Sequence, residues 1–395
     1  VGKTVILEGA RTPFGKLNGA LSTLSAPELG GIAIKEALNR SEVAPGEVDY
    51  VIMGTVLQGG QGQLPSRQAA RHAGIPWEAK TETINKVCAS GMRAIALGDL
   101  LIRAKEAEIV VAGGMESMTN APFLLPRARK GYRLGHGQIL DSTVFDGLTC
   151  SFTGVHMGTY GNRTAAEMGL SREEQDRWAL RSHRRAIAAM ETGKISEEIV
   201  PVEVPAGRGK GVSVRMDEAL REDTSLERLA QLPPVFDPDG TITAGNAPGI
   251  NDGACAVVLM DGTRAEREGR KVLAHILDGT SLAVEAKDFP KTPGLVIRKL
   301  LEKTEKSAKE IDLFEINEAF AAVVLAASQI AGLDPEKVNV NGGAIAYGHP
   351  IGASGARIVL TLCYELRRRG GGLGIAAICS GGGQGDALLI EVPKD

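Results

Sequence analysis

No run of about 18 consecutive apolar residues occurs in this 395-residue chain, so no segment reads as a membrane span. Cysteine is scarce and odd in number, five in all, which suits a reducing compartment better than a disulfide framework. Basic charge is not in excess: the formal net charge is −3, which argues against a general nucleic-acid binder. The six histidines are scattered and no two cysteines have zinc spacing, so no structural metal is indicated. No Gly-x-Gly-x-x-Gly follows a strand pattern, no Gly-x-x-x-x-Gly-Lys-Ser/Thr loop appears and no His-Glu-x-x-His occurs, so the usual signatures of redox-cofactor, nucleotide and zinc sites are missing. The N-terminus enters Val5-Ile6-Leu7 at once, unlike a secretory signal, and starts at Val1 rather than Met, which leaves a processed start open. A cytoplasmic location is expected, with a mature mitochondrial form as the alternative.

What is present is ordinary in bulk and unusual in detail. The chain is 43% hydrophobic and 24% charged, as soluble globular proteins are, and long enough for two or more structural units. Glycine is abundant at 50 residues, which implies many tight turns or close backbone approaches.

The order of short strings suggests an internal duplication. Val5-Ile6-Leu7-Glu8-Gly9 pairs with His275-Ile276-Leu277-Asp278-Gly279, and Glu47 to Val51 with Glu310 to Phe314. Glu82 to Asn85 stands opposite Val338 to Asn341, and Ile109 to Gly114 opposite Ile375 to Gly381. Each half alternates β-branched apolar runs with helical patterns, the sign of a mixed or parallel sheet covered by helices. Two helices, about 89–103 and 354–366, are apolar nearly all round, which places them between layers. The expected fold is therefore α/β, two similar halves in five layers.

Between the halves the composition turns charged, as in the run Arg127 to Arg133. Ser171-Arg172-Glu173-Glu174 opens an exposed helix with a capping-box pattern, and Val257 to Met260 returns to a strand. The expected division is a first half over 1–119 plus 246–272, an inserted loop domain over 120–245 and a second half over 273–395.

Four residues carry the chemistry. Cys88 follows an extended run and precedes the first buried helix, where the positive dipole end favours thiolate. His349 lies in a glycine-rich turn and could serve as its base, or be a polar turn residue. Cys379 ends an apolar strand and opens Gly381-Gly382-Gly383, where bare backbone N–H groups can approach an oxygen. Asn317, polar among apolar neighbours, could hold a water, orient His349 or be a satisfied buried amide. Two thiols and an imidazole are the minimum kit for acyl transfer between thiols. Cys255, read as preceding a strand, and Cys363 fit core packing.

These strings, with Arg11-Thr12-Pro13-Phe14-Gly15, Gly113 to Met118, Asp146 to Thr149, His156-Met157-Gly158, Thr243 to Asn246 and Asn251 to Ala254, resemble the thiolases nearly end to end, and within them the acetyl-CoA acetyltransferases. The resemblance implies that Cys88 takes the acyl group, that His349 activates it and that Cys379 moves the proton. It implies one oxyanion hole from His349 and a water held by Asn317, and another from the backbone N–H groups of Cys88 and Gly381. Leu148, His156, Met157, Arg221, Ala244, Pro248, Ala319 and Phe320 match positions that contact CoA or line its channel. The implied reactions are thiolysis of acetoacetyl-CoA by CoA and condensation of two acetyl-CoA molecules, with no cofactor beyond CoA thioesters, in a homodimer or homotetramer. Nucleic acid and membrane are not implied partners.

Three departures bear on the acyl pocket: Pro248 where Ser is common, Tyr347 where Leu is usual, and Phe289-Pro290-Lys291-Thr292-Pro293 in place of Met-Gly-x-Gly-Pro. Met157 and Phe320 favour a short acyl chain; a degradative thiolase of broad chain length is the alternative. A related condensing enzyme lacks reason for the second thiol, Cys379. A non-catalytic lipid-binding relative would have lost Cys88, His349 or Cys379.

Overall fold

The computed structural model describes residues 4–205 and 211–394. Its backbone is a ten-stranded mixed sheet among the described residues, bent into two similar halves. The main strands are β1 (Thr4–Arg11), β2 (Tyr50–Gly54), β3 (Lys80–Ile84), β4 (Ile109–Ser117), β5 (Asn251–Asp261), β6 (Ala274–Ala283), β7 (Leu313–Ile316), β8 (Gly372–Ser380) and β9 (Gln384–Val392). They lie in the order β3-β2-β4-β5-β1-β6-β9-β8-β7.

The duplicated strings occupy equivalent places. In the first half β2 runs parallel to β3 and β4, and β5 lies antiparallel between β4 and β1. In the second, β7 runs parallel to β8, and β9 lies antiparallel between β8 and β6. The halves join where Val5 and Ile6 of β1 face His275 and Ala274 of β6. The counterpart of β3 is reduced to a single parallel bridge, Phe314 to Val338.

Burial on both faces explains the unbroken apolar strands. Along β4, Val110 and Ala112 face the middle of the molecule while Ile109 and Val111 face outward, the period of two that a strand imposes. The middle layer holds the helices Ser90–Arg103 and Ser354–Arg368, through Ile95, Ile102, Ile358 and Leu362. Helices Ala26–Ser41 and Pro65–His72 cover one outer face, and Thr292–Lys303 and Ala321–Ala331 the other. The central helices approach so closely that a Cβ on Gly91 would sit 2.8 Å from the Ala356 nitrogen, and one on Gly355 2.5 Å from the Met92 nitrogen. No described helix is long and apolar enough to cross a membrane.

Between β4 and β5 the chain passes through the helices Met157–Glu167 and Arg172–Glu191. The latter starts with the expected capping box: Ser171 Oγ accepts from the Glu174 N–H at 3.2 Å and the Glu174 carboxylate from the Ser171 N–H at 2.7 Å. It is not the exposed helix expected, because Trp178, Ala179, Ser182, His183 and Ala186 are buried. The basic run Arg127 to Arg133 is exposed. Cys255 lies inside β5 rather than before it, and both it and Cys363 are fully buried.

Candidate active site

The turn that presents Cys88 is stapled by its own sequence. Asn85 Oδ1 accepts from the Val87 N–H at 2.9 Å, Ser90 Oγ accepts from the Lys86 N–H at 2.8 Å, and Ser90 Oγ donates to the Val87 carbonyl at 2.6 Å. These bonds hold Val87 at a φ of 46°, left-handed backbone that a β-branched residue rarely adopts. Cys88 follows, half-buried, one residue before the N-cap Ala89. It packs on Val56, Leu57, Met118 and Ile351, in a cluster that Leu148 also joins.

The expected resting thiolate is not what this setting favours. Burial pushes the Cys88 thiol up to about 12, and the buried Glu116 carboxylate adds to the rise. The backbone N–H groups of Cys88 itself and of Gly381 pull the other way. The N–H groups of Ala89 and Ser90 are spent on the Lys86 and Val87 carbonyls, so the helix end offers the sulfur little. Two N–H groups thus converge on the Cys88 sulfur from turns nearly 300 residues apart in sequence. A Cβ on Gly381 would lie 3.3 Å from Val87 Cγ1 and 3.8 Å from Met157 Cε, so glycine lets that turn close over the thiol.

Cys379 is fully buried near the end of β8. Burial, then the neighbouring Cys88, raises its pKa well above the ordinary thiol range. Met157, Phe289, Ala319, Phe320 and Tyr160 share its apolar cluster.

His349 is held at three points. Its N–H donates to Asn251 Oδ1 at 2.9 Å, its Nδ1 lies 2.6 Å from Ser354 Oγ, and its Nε2 lies 3.5 Å from Asn317 Nδ2. Burial and the Arg357 guanidinium lower its pKa to about 3, so the ring is neutral. Asn317 directly follows β7, donates its N–H to the Ala377 carbonyl at 3.1 Å and leaves Oδ1 without a partner.

The other expected contacts fall in two places. His156 caps the helix Met157–Glu167 through Nδ1 and stacks on Phe236 with ring centroids 4.2 Å apart. Arg221 and Ala244 line a cleft of about 260 Å³ with Lys16, His183 and Ile250. Pro248 stands between Ala247 and Gly249, which also line it. Tyr347 does not reach the Cys379 cluster. It is fully buried beside Phe14, Ala186 and Ile195, lies within 6.0 Å of the Arg11 and Arg357 guanidinium carbons, and its hydroxyl donates to the Asn341 carbonyl.

Sequence reasoning passed over four polar residues that build this geometry. Glu318 accepts from Trp178 Nε1 at 3.0 Å, Ser182 Oγ at 2.7 Å, Asn339 Nδ2 at 3.1 Å and the Ile345 N–H at 3.0 Å. It thereby ties the Asn317 turn to the His349 loop. Glu116 does the same between the Thr55 turn and Gly352, while Asn251 holds the His349 backbone N–H and Ser354 the imidazole Nδ1. A charged or polar residue inside an otherwise apolar run was the available signal.

Along nearly its whole length the chain is similar to known proteins. The family model "Thiolase, N-terminal domain" matches residues 4–263 and "Thiolase, C-terminal domain" matches residues 270–392. A "Probable acetyl-CoA acetyltransferase" of Mycolicibacterium smegmatis is 48% identical over 387 residues, covering 98% of this chain and 100% of that one. The "Acetyl-CoA acetyltransferase" of Cupriavidus necator is 47% identical over 387 residues, covering 98% of each chain. The crystal structure of the Bacillus anthracis acetyl-CoA acetyltransferase superposes with a TM-score of 0.97 at 43% identity, covering 99% of each chain. Fold, family models and near full-length relatives therefore converge: the chain belongs to the thiolase family.

Proposed function

We propose that the chain is an acetyl-CoA C-acetyltransferase that cleaves acetoacetyl-CoA with CoA and, in reverse, condenses two acetyl-CoA molecules through an acetyl thioester on Cys88. The observation that carries this reading is that the turn after Cys379 closes over the Cys88 turn, where a Cβ on Gly381 would lie 3.3 Å from Val87 Cγ1, so that two thiols from opposite halves share one site.

In condensation, His349 Nε2 takes the Cys88 proton as the sulfur adds to the thioester carbonyl. The N–H groups of Cys88 and Gly381 meet the charge that develops on oxygen. CoA departs with the proton of Cys379. The Cys379 thiolate then removes a proton from the methyl carbon of a second acetyl-CoA. The enolate oxygen is met by His349 Nε2–H beside the Asn317 amide, and its carbon attacks the acetyl carbonyl. Cys88 leaves and recovers its proton from His349. With Cys88 raised and His349 lowered, the free enzyme holds a thiol and a neutral imidazole, so proton transfer accompanies attack instead of preceding it.

CoA enters along the cleft where Lys16 and Arg221 supply positive charge, and Leu148, His156, Met157 and Ala244 flank its path. The substrate is short: Phe289, Phe320, Tyr160 and Met157 fill the space around Cys379 where a long acyl chain would extend. The same reading takes residues 120–245 as an inserted loop domain between two thiolase halves. It takes the chain as a homo-oligomer, because Phe123, Leu125, Leu134, Ile139 and Phe145 are exposed on one arm and β3 ends the sheet unpaired. The test is acetoacetyl-CoA plus CoA, followed by loss of enolate absorbance, with mass spectrometry of the protein after acetyl-CoA. No turnover, or an acetyl group on a cysteine other than Cys88, refutes the reading.

A further inference from the structure

A neutral imidazole carries one ring proton, and the hydrogen bond made by one nitrogen decides whether the other is bare. To take a proton from Cys88, Nε2 of His349 must be bare, so Nδ1 must hold the ring proton. Nδ1 faces Ser354 Oγ at 2.6 Å, with both residues buried. A hydroxyl has one proton of its own, and Ser354 Oγ lies 3.0 Å from the Pro350 carbonyl, four residues back, an oxygen that can only accept it. With the proton placed there, only lone pairs are left for Nδ1, and Nδ1–H must donate to them.

The far side of the ring agrees. Asn317 Nδ2, a donor, lies 3.5 Å from Nε2, which suits a bare nitrogen. In the opposite tautomer Nε2–H would face that NH2 group, donor against donor. The contacts thus form one chain of a single polarity: Asn317 N–H to Nε2, Nδ1–H to Ser354 Oγ, and Ser354 O–H to the Pro350 carbonyl.

We propose that Ser354 is a positioning residue that fixes His349 as the Nδ1-protonated tautomer, leaving Nε2 as the seat of the Cys88 proton. In the acylation step the Cys88 S–H bond breaks, the proton passes to Nε2 and the sulfur electron pair forms the bond to the carbonyl carbon. Nδ1–H stays on the ring throughout, and Ser354 accepts from it in the neutral and the protonated ring alike. A neutral hydroxyl stabilises the imidazolium less than a carboxylate would, and Arg357 lies near enough to disfavour it further. The proton is therefore held weakly and readily given back when Cys88 leaves, as a reversible transfer requires. This inference rests on the acyl-transfer reading above.

Two measurements test it. Nitrogen NMR of 15N-histidine-labelled protein, with His349→Asn to assign the signal, should show Nδ1 protonated and Nε2 bare in the resting enzyme; Nε2 protonated overturns the proposal. Ser354→Ala should slow acetylation of Cys88 and lower kcat for thiolysis by about 10–100-fold, the range seen when the partner of a metal-bound histidine is removed, with KM for acetoacetyl-CoA unchanged. Ser354→Thr, which keeps the hydroxyl, should restore most of that rate. Wild-type acetylation in Ser354→Ala, or a rise in KM alone, overturns the proposal. If either variant fails to fold, the wild-type tautomer decides. Failure of the wild type to turn over acetoacetyl-CoA would sink the function and leave the tautomer of His349 measurable on its own.

Discussion

Replacing Glu116 with Gln removes one charge and turns one carboxylate oxygen into an NH2 group. Glu116 is fully buried near the end of β4. Its Oε2 accepts from the N–H groups of Val56 at 3.0 Å and Gly352 at 2.9 Å, and its Oε1 from the Leu57 N–H at 3.1 Å and Thr55 Oγ1 at 3.0 Å. The best setting for Gln turns the NH2 toward Thr55, whose hydroxyl can rotate and accept. The Leu57 N–H is then orphaned, which costs about 1–3 kcal/mol, and the bonds to Val56 and Gly352 fall from charge-assisted to neutral strength, about 1 kcal/mol each. These contacts alone would cost about 3–5 kcal/mol, but Gln also relieves the buried charge that raises the carboxyl to about 7, so the fall in urea midpoint and Tm at pH 8 should be smaller than the contacts imply.

Two further signs mark the mechanism. Burial raises the Glu116 carboxyl to about 7. A raised acid binds its proton more tightly in the native state, so its contribution is full below the ordinary carboxylate range and is lost as pH rises through about 7. The Gln variant should lack that decline. Because Gly352 belongs to the loop that carries His349, kcat should fall more than KM rises. An unchanged kcat would refute the reasoning, since that would mean the loop carrying His349 does not depend on the carboxylate.

Alkylation of Cys88 by iodoacetamide should accelerate with pH up to 9 without a plateau, since burial places the thiol near 12; a plateau below pH 8 would mean a standing thiolate. Cys379→Ser should still acetylate Cys88 from acetyl-CoA while losing condensation and thiolysis, and a variant that condenses at the wild-type rate would remove Cys379 from proton transfer. Across four- to ten-carbon 3-ketoacyl-CoA thioesters, kcat/KM should be greatest at four carbons and fall by graded steps of about 1–3 kcal/mol per methylene, and a maximum at eight or more would point to a broad degradative thiolase. Neutralising Arg127, Arg129 and Lys130 on the exposed arm should change the oligomer mass in light scattering or raise the apparent KM for CoA, and both unchanged would make the run a solvated loop.

The fold was legible because duplication repeats its strings in order, and because strands buried on both faces stay apolar without interruption. Cys88 and Cys379 were legible for local reasons: Cys88 stands between an extended run and a buried helix, and Cys379 between an apolar strand and a run of glycines. The protonation state of Cys88 was not. The helix-end argument is local, whereas the burial that outweighs it comes from Val56, Met118 and Ile351, residues distant in sequence. Tyr347 misled in the same way. Two positions from His349, it points into a different cluster, between Arg11 and Arg357. Glu116 was passed over because its partner Gly352 is 236 residues away: the apolar run before it signals a buried charge but not what that charge binds.

The duplication also explains why the chemistry meets where it does. In an open sheet, sites form beyond the carboxyl ends of parallel strands. Here Thr55 follows β2, Cys88 follows β3, Glu116 nears the end of β4, Asn317 follows β7 and Cys379 nears the end of β8. The turn before each central helix then supplies one partner: Cys88 before Ser90–Arg103, and His349 before Ser354–Arg368. Because those helices pack on each other through Gly91 and Gly355, the two turns open on the same side. The halves have diverged at these equivalent ends, one turn keeping a thiol and the other an imidazole, one strand end keeping a structural carboxylate and the other a second thiol. A single half has a nucleophile without a base or a base without a nucleophile. On the proposed reading, the packing of Gly91 on Ala356 and of Gly355 on Met92 sets the spacing of the turns that carry Cys88 and His349, and a methyl group at Gly91, 2.8 Å from the Ala356 nitrogen and 3.0 Å from the Gly352 carbonyl, should push those turns apart.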